Sequence, residues 1–320
     1  VDVLIGFRSF QNSDPPRLAE IWRTRSGLRG YAQPMTAAMF DRYVLSKPYF
    51  DQRGLIVAME QEHAVGFAHA GFGPTDDGTT LSTDIGASIL AVVMPHDDDA
   101  AIAAELIARC EAYLRDRGAK VLYGGGIRPL NAFYVGLYGG SELPGILDSD
   151  AQHQGFFRAA GYREIDRTVV LHRELATFRP IVDRQQMQLR RRARVECTCD
   201  PPLPSWWDAC TLGDFTRLQY KLFLAGGDEP VAFGTLLDME TFSHAWGART
   251  AGLVDIWVAE SHRRQGIGIS FIGEILRQAA EAGYGLIEVQ TMQHNPAALA
   301  MYRKLGFQQI DSGAVFRKET

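Results

Sequence analysis

Cysteine is scarce in this chain: Cys110, Cys197, Cys199 and Cys210 are the four thiols in 320 residues. None forms a C-x-x-C pair, and so sparse a set excludes a disulfide-stapled scaffold; it points to a reducing, cytoplasmic setting and no structural metal. Cys197-x-Cys199 would seat a metal only if histidines converged on it, and alternation along a strand at 195–199 explains the spacing as well. Also missing is an apolar run as long as a membrane span, and no basic-then-apolar leader opens the chain. Basic residues are not in excess: 33 Lys+Arg stand against 38 Asp+Glu, a net charge of −5. That balance argues against a nucleic-acid partner bound by broad phosphate neutralisation. Three nucleotide or hydrolase signatures are absent too. Phe271 stands where G-x-G-x-x-G needs its third glycine, no Gly-Lys-Ser/Thr exists, and no G-x-S-x-G elbow is found.

What remains is more specific. The run Val254-Asp255-Ile256-Trp257-Val258 reads as a strand, and after four residues Arg263-Arg264-Gln265-Gly266-Ile267-Gly268 opens an amphipathic helix. Glycines remove the Cβ atoms that keep a diphosphate off the backbone, and first-turn N–H groups have no intrahelical partner. The loop is built for a pyrophosphate.

The pattern Arg/Gln-x-x-Gly-x-Gly/Ala after a strand resembles the cofactor loop of the GCN5-related N-acetyltransferases (GNAT). The likeness continues through Asn295-x-x-Ala298-x-x-x-Tyr302 and Leu305-Gly306-Phe307. It implies an α/β fold and acetyl-CoA as cosubstrate, with a small-molecule amine as acceptor. On that resemblance the backbone of Ile256, Trp257 and Val258 holds the pantetheine arm, residues 263–269 (Arg263, Arg264, Gln265, Gly266, Ile267, Gly268, Ile269) hold the diphosphate, and Asn295 lies near the thioester.

The sequence also repeats itself. Phe157 aligns with Tyr302 at an offset of 145, whereas 121–123 and 91–93 align with 286–288 and 256–258 at 165, which leaves an insertion of 20 residues in the glycine-rich stretch 131–155 of the first copy. Each copy carries a hairpin, 55–59 with 64–72 and 220–224 with 230–237. A strand, a long helix, a strand, a helix and a closing strand follow. Ile267, Phe271, Ile275 and Ala279 recur at helical spacing before Gly283, as do Ala104, Ile107 and Ala108 before Gly118. The expected architecture is two tandem GNAT-like acyl-CoA N-acyltransferase domains, 1–175 and 176–320, each a mixed, mostly antiparallel sheet flanked by helices. The tandem plan is also found in mycothiol synthase.

The copies differ where chemistry would occur. Arg263–Gly268 align with Asp98-Asp99-Ala100-Ala101-Ile102-Ala103, and carboxylates repel a bound diphosphate. The first copy is therefore expected to be degenerate and the second to carry catalysis. Tyr302 is the candidate acid for the departing thiolate, its alternative being ring packing on a helix. Asn295, followed by Pro296, is also a good helix N-cap. Asp255 is the first candidate base and Glu288 the second, with a solvated strand position the alternative for Asp255. Arg190-Arg191-Arg192 and Arg194 reach a 3′-phosphate or form a solvated strand or linker; Trp206, Trp207 and Trp246 line an acceptor pocket or pack. The family fold implies acceptor contacts from 14–45, 125–155 and 201–212. An acetyl-CoA sensor without turnover and a mycothiol-synthase-like aminoglycoside acetyltransferase remain the rival functions; acyl chain length and oligomeric state are not readable.

Overall fold

The computed structural model describes residues 4–319. Its elements run β1 (Ile5–Ser9), α1 (Pro15–Arg23), α2 (Ala37–Phe40), β2 (Leu55–Glu60), β3 (His63–Pro74), β4 (Leu81–Val93), α3 (Asp99–Asp116), β5 (Val121–Gly124), β6 (Ile146–Leu147), α4 (Ala151–Ala159) and β7 (Arg163–Glu174). They continue with α5 (Arg184–Arg192), β8 (Ala193–Cys199), α6 (Trp206–Leu212), β9 (Arg217–Leu224), β10 (Ala232–Asp238), α7 (Glu240–Trp246), β11 (Thr250–Val258), α8 (Ile267–Glu281), β12 (Leu286–Met292), α9 (Pro296–Lys304) and β13 (Gln308–Glu319).

The chain folds into two compact units, and neither is one continuous stretch. Unit 1 comprises residues up to Thr168, Leu203–Asp214 and the chain from Ser312 onward; unit 2 comprises Val169–Pro202 and Phe215–Asp311. Where a single cut near residue 175 was expected, each unit takes its final strand from the other repeat. β7 passes into unit 2 at Val169, and β13 passes into unit 1 at Ser312. Alternating side chains fix which face of such a strand is buried but not which neighbour it pairs with, so the exchange has no sequence signal.

In unit 1 the strands β1 to β4 pair antiparallel in chain order, β5 lies parallel to β4, and Phe316–Glu319 of β13 pair antiparallel with β5. Helix α3 covers one face with Ile102, Leu106, Ile107, Cys110 and Leu114, all buried. Lys318 fastens the last strand there: its Nζ donates to both Glu111 oxygens at 2.8 and 3.0 Å and to the Ala160 carbonyl at 2.8 Å.

Unit 2 repeats the plan. Strands β8 to β11 pair antiparallel, and β12 runs parallel to β11. The apolar stripe of α8 faces this sheet, and Ile267, Phe271, Ile275 and Ala279 are all buried, each large side chain contributing roughly 1.5–3 kcal/mol.

Candidate functional site

Two irregularities open the sheet of unit 2. The β10–β11 register shifts between Phe233↔Trp257 and Thr235↔Val254, which places a bulge at 255–256, and Asp255 takes φ +55° there. Bulges of this kind re-aim the chain beside functional sites. Beyond it the parallel β11–β12 ladder ends, since its register covers Thr250, Ala251 and Gly252 opposite Leu286, Ile287 and Glu288. Residues 253–258 thus leave β12, and Glu288 stands at the parting point, fully buried.

The predicted loop follows directly. Arg264 has φ +59°, Gly266 has φ +79° as the N-cap of α8, and Ser270 N–H makes the first helical bond to the Gly266 carbonyl at 3.0 Å. The first-turn N–H groups of α8 therefore point out of the helix toward any anion placed before it. A Cβ on Gly268 would meet Met301 Sδ of α9 at 2.8 Å. The Arg263 guanidinium folds back, its Nε donating to the Val258 carbonyl at 3.1 Å. Strand end, loop, α8 and α9 are thereby joined in one corner of unit 2.

Sequence reading overlooked one member of this corner. The basic run is split: Arg194 lies on strand β8, whereas Arg190–Arg192 are the last turn of α5, whose N-cap Asp183 accepts from Gln186 N–H at 2.8 Å. Gln185 Nε2 donates to the Gln265 carbonyl at 2.9 Å and Gln186 Nε2 to that of Gly266 at 3.3 Å. Both bonds use carbonyls, leaving the anion-facing N–H groups of the loop to a ligand. Asp183 before a polar stretch was the only available signal, because α5 lacks a continuous apolar stripe.

The remaining predicted residues fall as follows. Asn295 caps α9, its Oδ1 accepting from Ala298 N–H at 3.2 Å, so the capping role is realised and its amide NH2 is left for other work. Tyr302 lies on α9 with its ring edge-on to Phe307 at 5.4 Å and is 4% exposed, so ring packing is realised as well. Trp246 stacks on Phe242 at 4.3 Å in unit 2, and Trp207 stacks on Tyr49 at 4.9 Å in unit 1. Both act as packing groups. Within the stretch 125–155, residues 130–141 are buried inside unit 1.

Unit 1 has the matching bulge, with a register shift between His69↔Leu90 and Ala70↔Ser88. There the chain fills its own cleft. Ala91 N–H donates to His153 Nε2 at 3.1 Å, His153 Nδ1 lies 3.4 Å from Asp150 Oδ2, and Tyr31 Oη donates to the same oxygen at 2.7 Å. Burial works to raise the Asp150 carboxyl, but His153, with Tyr31, outweighs it and holds Asp150 below the usual carboxylate range. Gly125 N–H also bonds the Ser88 carbonyl at 2.9 Å, and Leu143 from the insertion occupies the space a side chain at Gly126 would need. Helix α3 begins with Asp98 and Asp99 where α8 begins with glycine.

Residues 185–307 match the family model described as Acetyltransferase (GNAT) family. Among solved structures, the GCN5-related glucosamine N-acetyltransferase region of a fungal multi-domain GH3 β-N-acetylglucosaminidase is similar at TM-score 0.72 and 17% identity, over 99% of this chain and 38% of that one. A tandem GNAT protein from the clavulanic acid biosynthesis pathway is similar at TM-score 0.67 and 13% identity, over 99% and 98%. A GCN5-related N-acetyltransferase from Sphaerobacter thermophilus aligns at TM-score 0.65 and 13% identity, over 98% and 95%. No curated protein matches the chain. At these identities the structural likeness shows the fold of the chain, and the family model matches the second repeat alone, over residues 185–307.

Proposed function

We propose that unit 2 transfers an acetyl group from acetyl-CoA to a primary amine of a small molecule, and that unit 1 is a closed, non-catalytic copy. One contrast carries this reading. The bulge of unit 2 leads into a glycine loop flanked by Arg263 and Arg264, whereas the N–H of Ala91 beside the bulge of unit 1 is already satisfied by His153.

The site fits the cosubstrate on its own terms. A left-handed Gly266 and the first turn of α8 make a cradle for a diphosphate, while Gly268 makes room for Met301 of α9, and Arg263 and Arg264 add charge. Acetyl-CoA supplies an activated acyl group. The backbone of Ile256, Trp257 and Val258, freed from β12, holds its arm and polarises the thioester carbonyl. Asn295 orders the neighbouring turn. As the amine nitrogen bonds to the carbonyl carbon and the C–S bond breaks, Tyr302 gives its phenolic proton to the leaving sulfur, and Glu288 or Asp255 takes the proton released by nitrogen. Asp255 stands in the bulge itself, and Glu288, at the parting of β11 and β12, accepts from Gln290 Nε2 at 2.8 Å.

The test is thiol release from acetyl-CoA over polyamines, aminoglycosides, amino acids and peptide N-termini. Tyr302→Phe is expected to lower kcat about 10²-fold, the usual worth of a positioned acid, and Arg263→Asp to raise KM for acetyl-CoA. Release indifferent to both substitutions contradicts the assignment. Tight binding of acetyl-CoA with no release from any amine supports the sensor reading instead.

A further inference from the structure

The side chains of β11 after the bulge alternate across the sheet. Ile256 points toward α8, because it takes the place a side chain on Gly234 would occupy and Phe271 lies 3.5 Å from that place. Val258 points the same way, 3.8 Å from the Cβ position of Gly268. Trp257, between them, faces the other side of the sheet and is 41% exposed. Directly paired residues share a face, so Phe233 of β10 and Lys221 of β9 stand in the same row. The Trp257 and Phe233 rings are 6.0 Å apart and inclined by 37°. At the end of the row Glu196 pairs with Arg194 at 3.2 Å, and among the described residues no carboxylate lies within ion-pair distance of Lys221.

This row is an ordered sequence of chemistry that starts two residues beyond the bulge at Asp255: two aromatic rings, then a cation, over roughly 10 Å of sheet at about 4.8 Å per strand. Trp257 and Phe233 together, unlike a lone exposed side chain, present a ring surface on this face next to a cation. We propose that Trp257 and Phe233 seat the body of the acceptor, and that the acceptor is a primary amine carried on a flat apolar ring with an acidic or neutral group at its far end. The inference rests on the acetyl-transfer reading and narrows it. The amine sits at the bulge, the ring lies on the two aromatic side chains, and Lys221 attracts a distal anion while repelling a second ammonium. Polyamines are thereby disfavoured.

The experiment measures calorimetric binding to the CoA-saturated protein, and thiol release with acetyl-CoA, for 4-(2-aminoethyl)benzoate, 2-phenylethylamine, hexylamine and spermidine. The expected order is the order given, with the ring worth about tenfold over the alkyl chain. In Trp257→Ala the ring advantage should fall to about onefold, and in Lys221→Glu the benzoate and spermidine should exchange places. Binding in this order without thiol release keeps the seat and overturns acetyl transfer. Release from any amine without this order, or an order unchanged in both variants, keeps acetyl transfer and overturns the seat.

Discussion

His69 shows how much a single buried residue decides. Fully buried in unit 1, it stacks on Phe133 at 4.1 Å and meets the Tyr134 hydroxyl at 3.0 Å, and burial pushes its pKa down to about 3. The unfolded chain takes up this proton near pH 6.5, while the native state stays neutral until about pH 3. The stability it confers is therefore complete above pH 6.5 and is lost as the pH falls through the window between those values, by roughly 1.4 kcal/mol per unit. Urea melts at pH 6.5, 5 and 4 should show the wild type falling more steeply than His69→Gln; parallel curves would refute the neutral buried histidine. At Gly266, whose φ is +79°, an added Cβ costs about 1–2 kcal/mol of strain. It would also press on Gln185 at 3.0 Å, so Gly266→Ala should weaken acetyl-CoA binding at least tenfold by calorimetry. Residue identity made the turn into α8 legible in the sequence, since glycine before an apolar helical stripe marks a helix start. His69 was illegible, because a histidine's burial depends on which rings surround it.

At the scale of elements, legibility followed periodicity. Both hairpins and the helices α3 and α8 were readable because alternate or helical spacing of apolar residues persists through them. Helix α5 was not, with Met187 and Leu189 its only large apolar side chains in Arg184–Arg192. The insertion reads as a loop for its glycines, yet Phe133, Tyr134 and Tyr138 bury it. Replacing Gln185 and Gln186 together by alanine removes two bonds to the loop, each worth about 1 kcal/mol, and should weaken acetyl-CoA binding severalfold. An unchanged dissociation constant would show that α5 does not order the loop. At the start of α9, Asn295→Asp keeps the capping oxygen and Asn295→Ala removes it, so only the alanine variant should lose about 1 kcal/mol in a denaturant melt. If the aspartate variant is equally stable but slower in thiol release, the amide NH2 acts at the thioester; equal rates would leave Asn295 a cap alone.

For the whole molecule, the governing fact is that each repeat donates its closing strand. Removing the chain after Asp311 strips β5 of its antiparallel partner and Glu111 of Lys318, so the truncated protein should lose the cooperative unfolding of unit 1. The milder Lys318→Met should cost about 2 kcal/mol, less than the loss of a fully buried pair because Arg115 still reaches Glu111 at 2.8 Å. A truncated chain with native melting would contradict the exchange. The tandem plan was legible from paired motifs and their offsets, but the exchange was not, since no local pattern names a strand's neighbour. The proposed functional asymmetry rests on a contrast in both places: aspartates opposite arginines in sequence, and His153 against Ala91 in structure. Its most direct test is isothermal titration of acetyl-CoA into the intact protein, beside Arg263→Asp and His153→Ala. One site per chain is predicted, weakened by Arg263→Asp and untouched in the wild-type stoichiometry by unit 1. Two sites, none, or a single site indifferent to Arg263 would contradict the account.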